Sequence, residues 1–124
     1  MSTNKKILVV DDEASLVDLC QLILSTAGYQ VRGANSGKDA LNLIDEEMPD
    51  LVLLDVMMPG MNGIEVCRRI RETAEAESPY IIMFTADERE STRKDSMAAG
   101  ANALLTKDTA IVDLPTKLSP YLTA

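Results

Sequence analysis

Short apolar runs alternate with amphipathic stretches along this chain, and the period of each predicts its element. Ile7 to Val10, Leu51 to Leu54, Tyr80 to Phe84 and Ala103 to Thr106 are short runs of largely apolar residues. Such runs suit strands buried on both faces, as in a parallel sheet. Tyr29 to Ala34 reads as a further short strand. Leu16, Leu19, Cys20, Ile23, Leu24 and Ala27 keep the spacing of an amphipathic helix, which Gly28 stops. Ser36, with Asp39 three residues on, is placed to cap a helix carrying Ala40, Leu41 and Ile44. That helix is expected to end before Met48-Pro49. Met58 to Gly63 is a loop by composition, and Ile64, Cys67 and Ile70 mark the next helix, ending before Ser78-Pro79.

Asp87 to Ala99 has weak periodicity, with its apolar residues Met97, Ala98 and Ala99 at the carboxyl end. This predicts a helix exposed over most of its surface and closed by Gly100. The tail carries Ile111, Val112, Leu114, Leu118 and Leu122, interrupted by Pro115 and Pro120, so the last helix is expected to be short or broken.

A strand–helix unit repeated along the chain predicts an α/β fold, a doubly wound five-stranded parallel sheet with right-handed crossovers. In the strand order 2-1-3-4-5 the switch point lies beside the first and third strands, and ligands bind beyond the carboxyl ends of the strands there. The runs lead into Asp11-Asp12, Asp55, Thr85 and Lys107. Singly, these residues have ordinary explanations as caps, turn residues or surface charge. Together, each next to an apolar run, they put three carboxylates, a hydroxyl and an ammonium in one crevice.

Composition narrows the reading. With 124 residues, 46% of them apolar, the chain is expected to be one domain with a real core. A net charge of −8 argues against nucleic-acid binding through a basic face and fits basic partners or a divalent cation. Cys20 and Cys67 match no metal spacing and read as small buried hydrophobes in a reducing compartment. No apolar stretch approaches the roughly 20 residues of a membrane span. The first apolar run is too short for a signal sequence, so a cytoplasmic location is expected. The chain has no histidine, which removes imidazole-based zinc sites and Ser-His or Cys-His catalysis.

Three clustered carboxylates repel one another, at about 4 kcal/mol per pair for ~4 Å and an effective dielectric near 20. A hard cation relieves this, and Mg²⁺, which combines one or two carboxylates with phosphate oxygens, is the natural choice. A carboxylate beside it becomes a candidate nucleophile for an aspartyl-phosphate, with a lysine and a hydroxyl to stabilise the transferring group.

From about Lys5 to Leu122 the chain resembles the receiver domain of bacterial two-component response regulators. The resemblance rests on Ile7-Leu-Val-Val-Asp-Asp-Glu13, Leu54-Asp-Val-Met-Met-Pro-Gly-Met-Asn-Gly63, Thr85-Ala86 and Gly100-Ala-Asn-Ala-Leu-Leu-Thr-Lys107. The second motif is highly specific. The resemblance implies a flavodoxin-like three-layer sandwich and a single receiver domain over 1–124, core about 5–122. It implies that Asp55 is the phosphoacceptor, and that Asp11, Asp12, Asp55 and the backbone carbonyl of Met57 hold Mg²⁺. Thr85 would be the switch hydroxyl, and Lys107 the partner of the phosphoryl group. The donor would be a phosphohistidine on a histidine kinase or histidine phosphotransfer protein, consistent with a chain that has no histidine. Beyond self-phosphorylation from phosphodonors and slow auto-dephosphorylation, no enzyme activity is implied. Output would pass to an unidentified downstream protein or domain through the face made by the fourth helix, fifth strand and fifth helix, with no direct contact to nucleic acid or membrane.

Four positions bear on tuning. Leu104 stands where the family usually has Tyr or Phe, and Asp108 where it usually has a cis proline. A cis non-proline bond costs about 3 kcal/mol, so a trans bond and a differently shaped loop are expected here. Met57 and Asp87 stand where the family tunes dephosphorylation by steric and polar access.

Two enzyme-like or cofactor readings fit less well. Phosphatases of the haloacid dehalogenase type need a second Asp where this chain has Met57. A flavin module needs a phosphate-cradling Ser/Thr/Gly loop where it has Asp11-Asp12-Glu13. The remaining alternative is a receiver-fold scaffold that acts without phosphorylation.

Overall fold

The computed structural model describes residues 5–73 and 79–123. Strands and helices alternate: β1 (Lys6–Val10), α1 (Ala14–Thr26), β2 (Gln30–Ala34), α2 (Gly37–Glu46), β3 (Leu51–Leu54), α3 (Gly63–Thr73), β4 (Tyr80–Thr85), α4 (Glu90–Ala98), β5 (Ala103–Thr106) and α5 (Leu114–Leu118). The five strands form one parallel sheet in the order β2-β1-β3-β4-β5. The doubly wound topology expected from the sequence is therefore the observed one.

Period-2 alternation gives the sheet two apolar faces. Leu8, Val10, Val52, Leu54, Ile81 and Met83 pack with Ala40 and Ile44 of α2 and with Val66, Cys67 and Ile70 of α3. Ile7, Val9, Leu51, Leu53, Ile82 and Phe84 pack with Val17, Cys20 and Leu24 of α1 and with Leu114 and Leu118 of α5. Each fully buried Leu or Ile contributes roughly 1.5–3 kcal/mol. β3 is buried along its whole length. Of β5, only Leu104 is buried. The run at 103–106 is expected from its apolar content to be buried on both faces, but β5 is an edge strand, so one side has no neighbouring strand to cover it.

The helix boundaries follow local chemistry. Gly28 follows α1 with φ 104°, a conformation only glycine adopts without strain. The Ser36 side chain accepts from the Asp39 N–H at 3.1 Å, capping α2 as expected. The expected run of the third helix to Ser78-Pro79 falls on residues outside those described. The α4 helix begins at Glu90 rather than at Asp87, and of its residues only Thr92 and Ser96 are buried. The carboxyl tail is broken, as its prolines predict, into two short 3-10 turns (Ile111–Asp113 and Ser119–Tyr121) around the five-residue α5.

Cys20 and Cys67 are unpaired and buried on opposite faces of the sheet. Burial pushes both thiols up to about 11, so neither is a reactive thiolate at neutral pH. Among the described residues no helix is long and apolar enough to cross a membrane.

Candidate functional site

The site grows out of the sheet's own hydrogen bonding. Asp11 N–H donates to Ala34 O at 3.1 Å, and Asp55 N–H donates to Val10 O at 2.9 Å. The ladder thus runs one residue past β1 and β3, fixing two aspartates side by side on adjacent central strands. Both are 3% exposed. Asp12, next along the chain, is exposed. One carboxylate oxygen from each of Asp11, Asp12 and Asp55 falls within a 4.8 Å cluster.

At the end of β5, Lys107 N–H donates to Thr85 O at 2.9 Å, tying the loop after β5 to the end of β4. The Lys107 ammonium then reaches across, 2.7 Å from Asp11 Oδ2 and 3.5 Å from Asp55 Oδ2. Its main partner is thus Asp11. Burial works against the Lys107 charge, but the hydrogen bond to Asp11 and the two carboxylates outweigh it and raise its pKa above the ordinary lysine value. Asp55 moves the other way for a carboxyl. Burial first, then the Asp11 charge, push it up to about 6, against the opposing pull of Lys107 and of Met57 N–H.

The loop after Asp55 is closed on itself. Gly63 N–H donates to Val56 O at 2.9 Å, and a Cβ at Gly63 would lie 2.0 Å from Asp55 O. Glycine is required there because the loop's far end passes over the backbone of the aspartate. The Asn62 side-chain oxygen accepts from Glu65 N–H at 3.0 Å, starting α3. Met57 N–H donates to Asp55 Oδ1 at 3.3 Å, while its side chain stands 57% exposed at the rim.

Thr85 closes β4 and is fully buried. Its hydroxyl oxygen accepts from Asp87 N–H at 3.1 Å. The Asp87 carboxylate is in turn taken up by Arg89, through the backbone N–H at 3.0 Å and the guanidinium at 2.7 Å, and by the Thr92 hydroxyl at 2.6 Å. The Arg89 hydrogen bonds first, then Thr92, hold the Asp87 carboxyl well below the usual carboxylate range.

Asp11, Asp12, Asp55 and Lys107 are therefore brought together, and Thr85 sits on the neighbouring strand end with Asp87 bound to it. Leu104 lies 9% exposed in the apolar layer with Ala99 and Ala101. The Asp108 side chain accepts from the Thr106 hydroxyl, bracketing Lys107. Three participants were not singled out in the sequence: Asn62, Arg89 and Thr92. Asn62, three residues before Glu65 at the head of an apolar-periodic stretch, carried the signature of an amino-terminal cap. Arg89 and Thr92 had none, because their role depends on where Asp87 turns. A hollow of about 560 Å³ among Leu41, Ile44, Met48 and Arg69 is lined by none of the clustered residues.

Chemically, three hard oxygen donors open to solvent through Asp12 fit Mg²⁺ better than any soft or imidazole-seeking ion. A buried carboxylate with an ammonium beside it is suited to nucleophilic attack on a phosphoryl group.

A family model for the response regulator receiver domain matches residues 7–119. Among solved structures, the chain is similar to the chemotaxis protein CheY4 of Vibrio cholerae, with 28% identity, a TM-score of 0.89, and coverage of 96% of this chain and 99% of that one. It is similar to a CheY-like response regulator receiver domain protein of Methanospirillum hungatei, with 30% identity, a TM-score of 0.89, and coverage of 97% and 94%. It also matches part of DrrB, a Thermotoga maritima OmpR/PhoB homolog, with 31% identity, a TM-score of 0.84, and coverage of 97% of this chain and 53% of that one. From fold, acidic cluster and family match together, this chain belongs to the response regulator receiver domain family.

Proposed function

We propose that this chain is a phosphoacceptor domain that takes a phosphoryl group onto Asp55 and passes the change on through protein contacts. Membership of the receiver family carries the coarser statement, that it is a signalling domain rather than an enzyme in the usual sense. The finer reading is carried by one observation. Asp55 is a buried carboxylate whose charge is disfavoured by burial and by Asp11, with a cationic Lys107 at 3.5 Å.

In the proposed reaction an Asp55 carboxylate oxygen attacks phosphorus of a phosphohistidine on a partner kinase or phosphotransfer protein. The P–N bond breaks, and its electron pair, with a proton, returns to the partner's imidazole. Asp55 becomes an acyl phosphate, which water later splits to inorganic phosphate and aspartate. Lys107 neutralises charge on the phosphoryl oxygens, and the Thr85 hydroxyl donates to one of them. Mg²⁺ held by Asp11, Asp12, Asp55 and the Met57 carbonyl would supply the remaining positive charge. We read residues 1–124 as one receiver domain, core about 5–122, that works in the cytoplasm. The α4–β5–α5 face is the proposed output surface.

Intact-mass spectrometry after incubation with acetyl phosphate and Mg²⁺ tests this. Wild type is expected to gain one phosphoryl group and Asp55→Asn none. Equal gain by both would remove Asp55 as acceptor. Failure of wild type to gain any, in a folded and Mg²⁺-binding chain, would favour a scaffold acting without phosphorylation.

A further inference from the structure

The α4 helix is held to the body by unusually little. Its buried positions are Thr92 and Ser96, with Ala99 just beyond its end, and no large apolar side chain among them. The Ser96 hydroxyl finds no hydrogen-bond partner among the described residues, which further weakens the seat. Helices with few buried apolar contacts are the ones that shift at low cost. The polar bonds at the amino end of α4 therefore carry much of its placement.

Those bonds lead straight to Thr85. Asp87 N–H holds the Thr85 hydroxyl oxygen, and the Asp87 carboxylate is bound by the Thr92 hydroxyl and by Arg89. The side chain of Thr92 is buried, while that of Arg89 is 71% exposed and its ion pair is correspondingly weak. The Thr92 bond is thus the firm one. Leu104, packed near Ala99 and Ala101, has no polar atom to offer. Among the described residues, a connected polar route from Thr85 to α4 runs through Asp87.

We propose that Asp87 and Thr92, supported by Arg89, form a latch that couples the Thr85 hydroxyl to the position of α4, so that occupation of Asp55 is read out through this latch. Asp87 and Thr92 are positioning residues. With Asp55 free, the latch keeps Asp87 N–H aimed at Thr85 and α4 seated. When Thr85 turns its hydroxyl to a phosphoryl group on Asp55, the bond from Asp87 N–H breaks, and the carboxylate's hold on Thr92 loosens with it. The inference rests on the phosphoacceptor reading and adds the route by which the site acts on its surroundings.

The test is a double-mutant cycle read by titration with beryllofluoride in excess Mg²⁺, a stable mimic of the phosphoryl group. Thr92→Val keeps the shape of the side chain and removes its hydroxyl. Freed from the latch, Thr85 moves at lower cost, and the mimic is expected to bind roughly three- to tenfold more tightly, the scale of one ordinary hydrogen bond's net contribution. In a Thr85→Ala background the same substitution is expected to change nothing, an independence that a general effect on stability would not produce. Thr92→Ser, which restores the hydroxyl, is expected to return wild-type affinity. Amide exchange over residues 87–92 is expected to quicken on mimic binding in wild type, and in Thr92→Val to be fast already. An equal effect of Thr92→Val with and without Thr85, or no effect in either, overturns the latch. No binding of the mimic to folded wild type overturns the phosphoacceptor reading itself, and the two failures are distinguishable.

Discussion

The Lys107 ammonium is closer to Asp11 than to Asp55, 2.7 Å against 3.5 Å. It lies between two nearly buried carboxylates and is hydrogen-bonded to the one that is not the proposed acceptor. Without metal, Lys107 is what makes the acidic cluster tolerable.

Removing that cation should therefore destabilise the fold. Lys107→Ala leaves Asp11 and Asp55 facing each other with no counter-charge, and the expected loss is about 2 kcal/mol at pH 7, the scale of one charged hydrogen bond. Urea unfolding in EDTA measures it. Saturating Mg²⁺ is expected to restore most of the loss, because a cation among the carboxylates substitutes for the ammonium.

Asp55 makes metal-free stability depend on pH in an identifiable window. Its pKa rises from 3.8 to about 6 on folding, so the folded state holds the proton more tightly than the unfolded chain. Below pH 4 both states are protonated and Asp55 costs nothing. As pH rises through about 6, the folded state must carry a disfavoured charge, at about 3 kcal/mol. Stability without metal is expected to fall between pH 4 and 6 from this group. Asp55→Asn is expected to flatten that fall and to raise the melting temperature at pH 7 by several degrees. Unfolding curves of both proteins across pH 4–7 decide it.

Metal linkage gives the complementary result. A ligand at a hundred times its dissociation constant adds about 2.7 kcal/mol to a native state that alone binds it. Wild type should gain this from Mg²⁺, and Asp55→Asn, which lacks one donor and one charge, much less. Equal gains would count against a metal site that includes Asp55. Calorimetric melting with and without millimolar Mg²⁺ reads both.

The loop glycines should differ sharply. A Cβ on Gly63 would lie 2.0 Å from Asp55 O, whereas Gly60, at φ 75°, has nothing within 4 Å of its Cβ position. Gly63→Ala is expected to cost about 3 kcal/mol by overpacking and to lower phosphorylation by shifting Asp55. Gly60→Ala is expected to cost about 1–2 kcal/mol through backbone strain, with phosphorylation retained. Stability and phosphoryl incorporation measured on both variants separate the two effects.

Arg71 provides a control remote from the site. It donates to Gly100 O at 3.0 Å, Pro79 O at 2.7 Å and Asn102 Oδ1 at 2.9 Å, pinning the end of α3 to the chain around β4 and β5. Arg71→Ala should cost about 2 kcal/mol, since it leaves part-buried acceptors without donors. Phosphoryl incorporation by the folded fraction is expected to be unchanged.

Much of this architecture was legible in the chain because it depends on nearest-neighbour patterns. The apolar runs of β1, β3 and β4 and the Ser36 cap are local signals, and parallel topology then carries Asp11 and Asp55 to adjacent strand ends without further information. The edge character of β5 was not legible, because it depends on which strand finds no neighbour. Nor was the preference of Lys107 for Asp11, a matter of side-chain reach across the crevice. Asp87 was noted only as a position where the resembled family tunes dephosphorylation. That its carboxylate is taken up by Arg89 and Thr92 follows from the turn ahead of α4, which no periodicity announces.

The most direct measurement is chemical mapping of the acyl phosphate. Protein phosphorylated by acetyl phosphate with Mg²⁺ is reduced with borohydride, which converts an aspartyl phosphate to homoserine, and the peptide spanning residue 55 is sequenced by mass spectrometry. Homoserine is expected at position 55 and at no other aspartate. Homoserine at Asp11 or Asp12, or none in a chain that binds Mg²⁺, would contradict Asp55 as the acceptor.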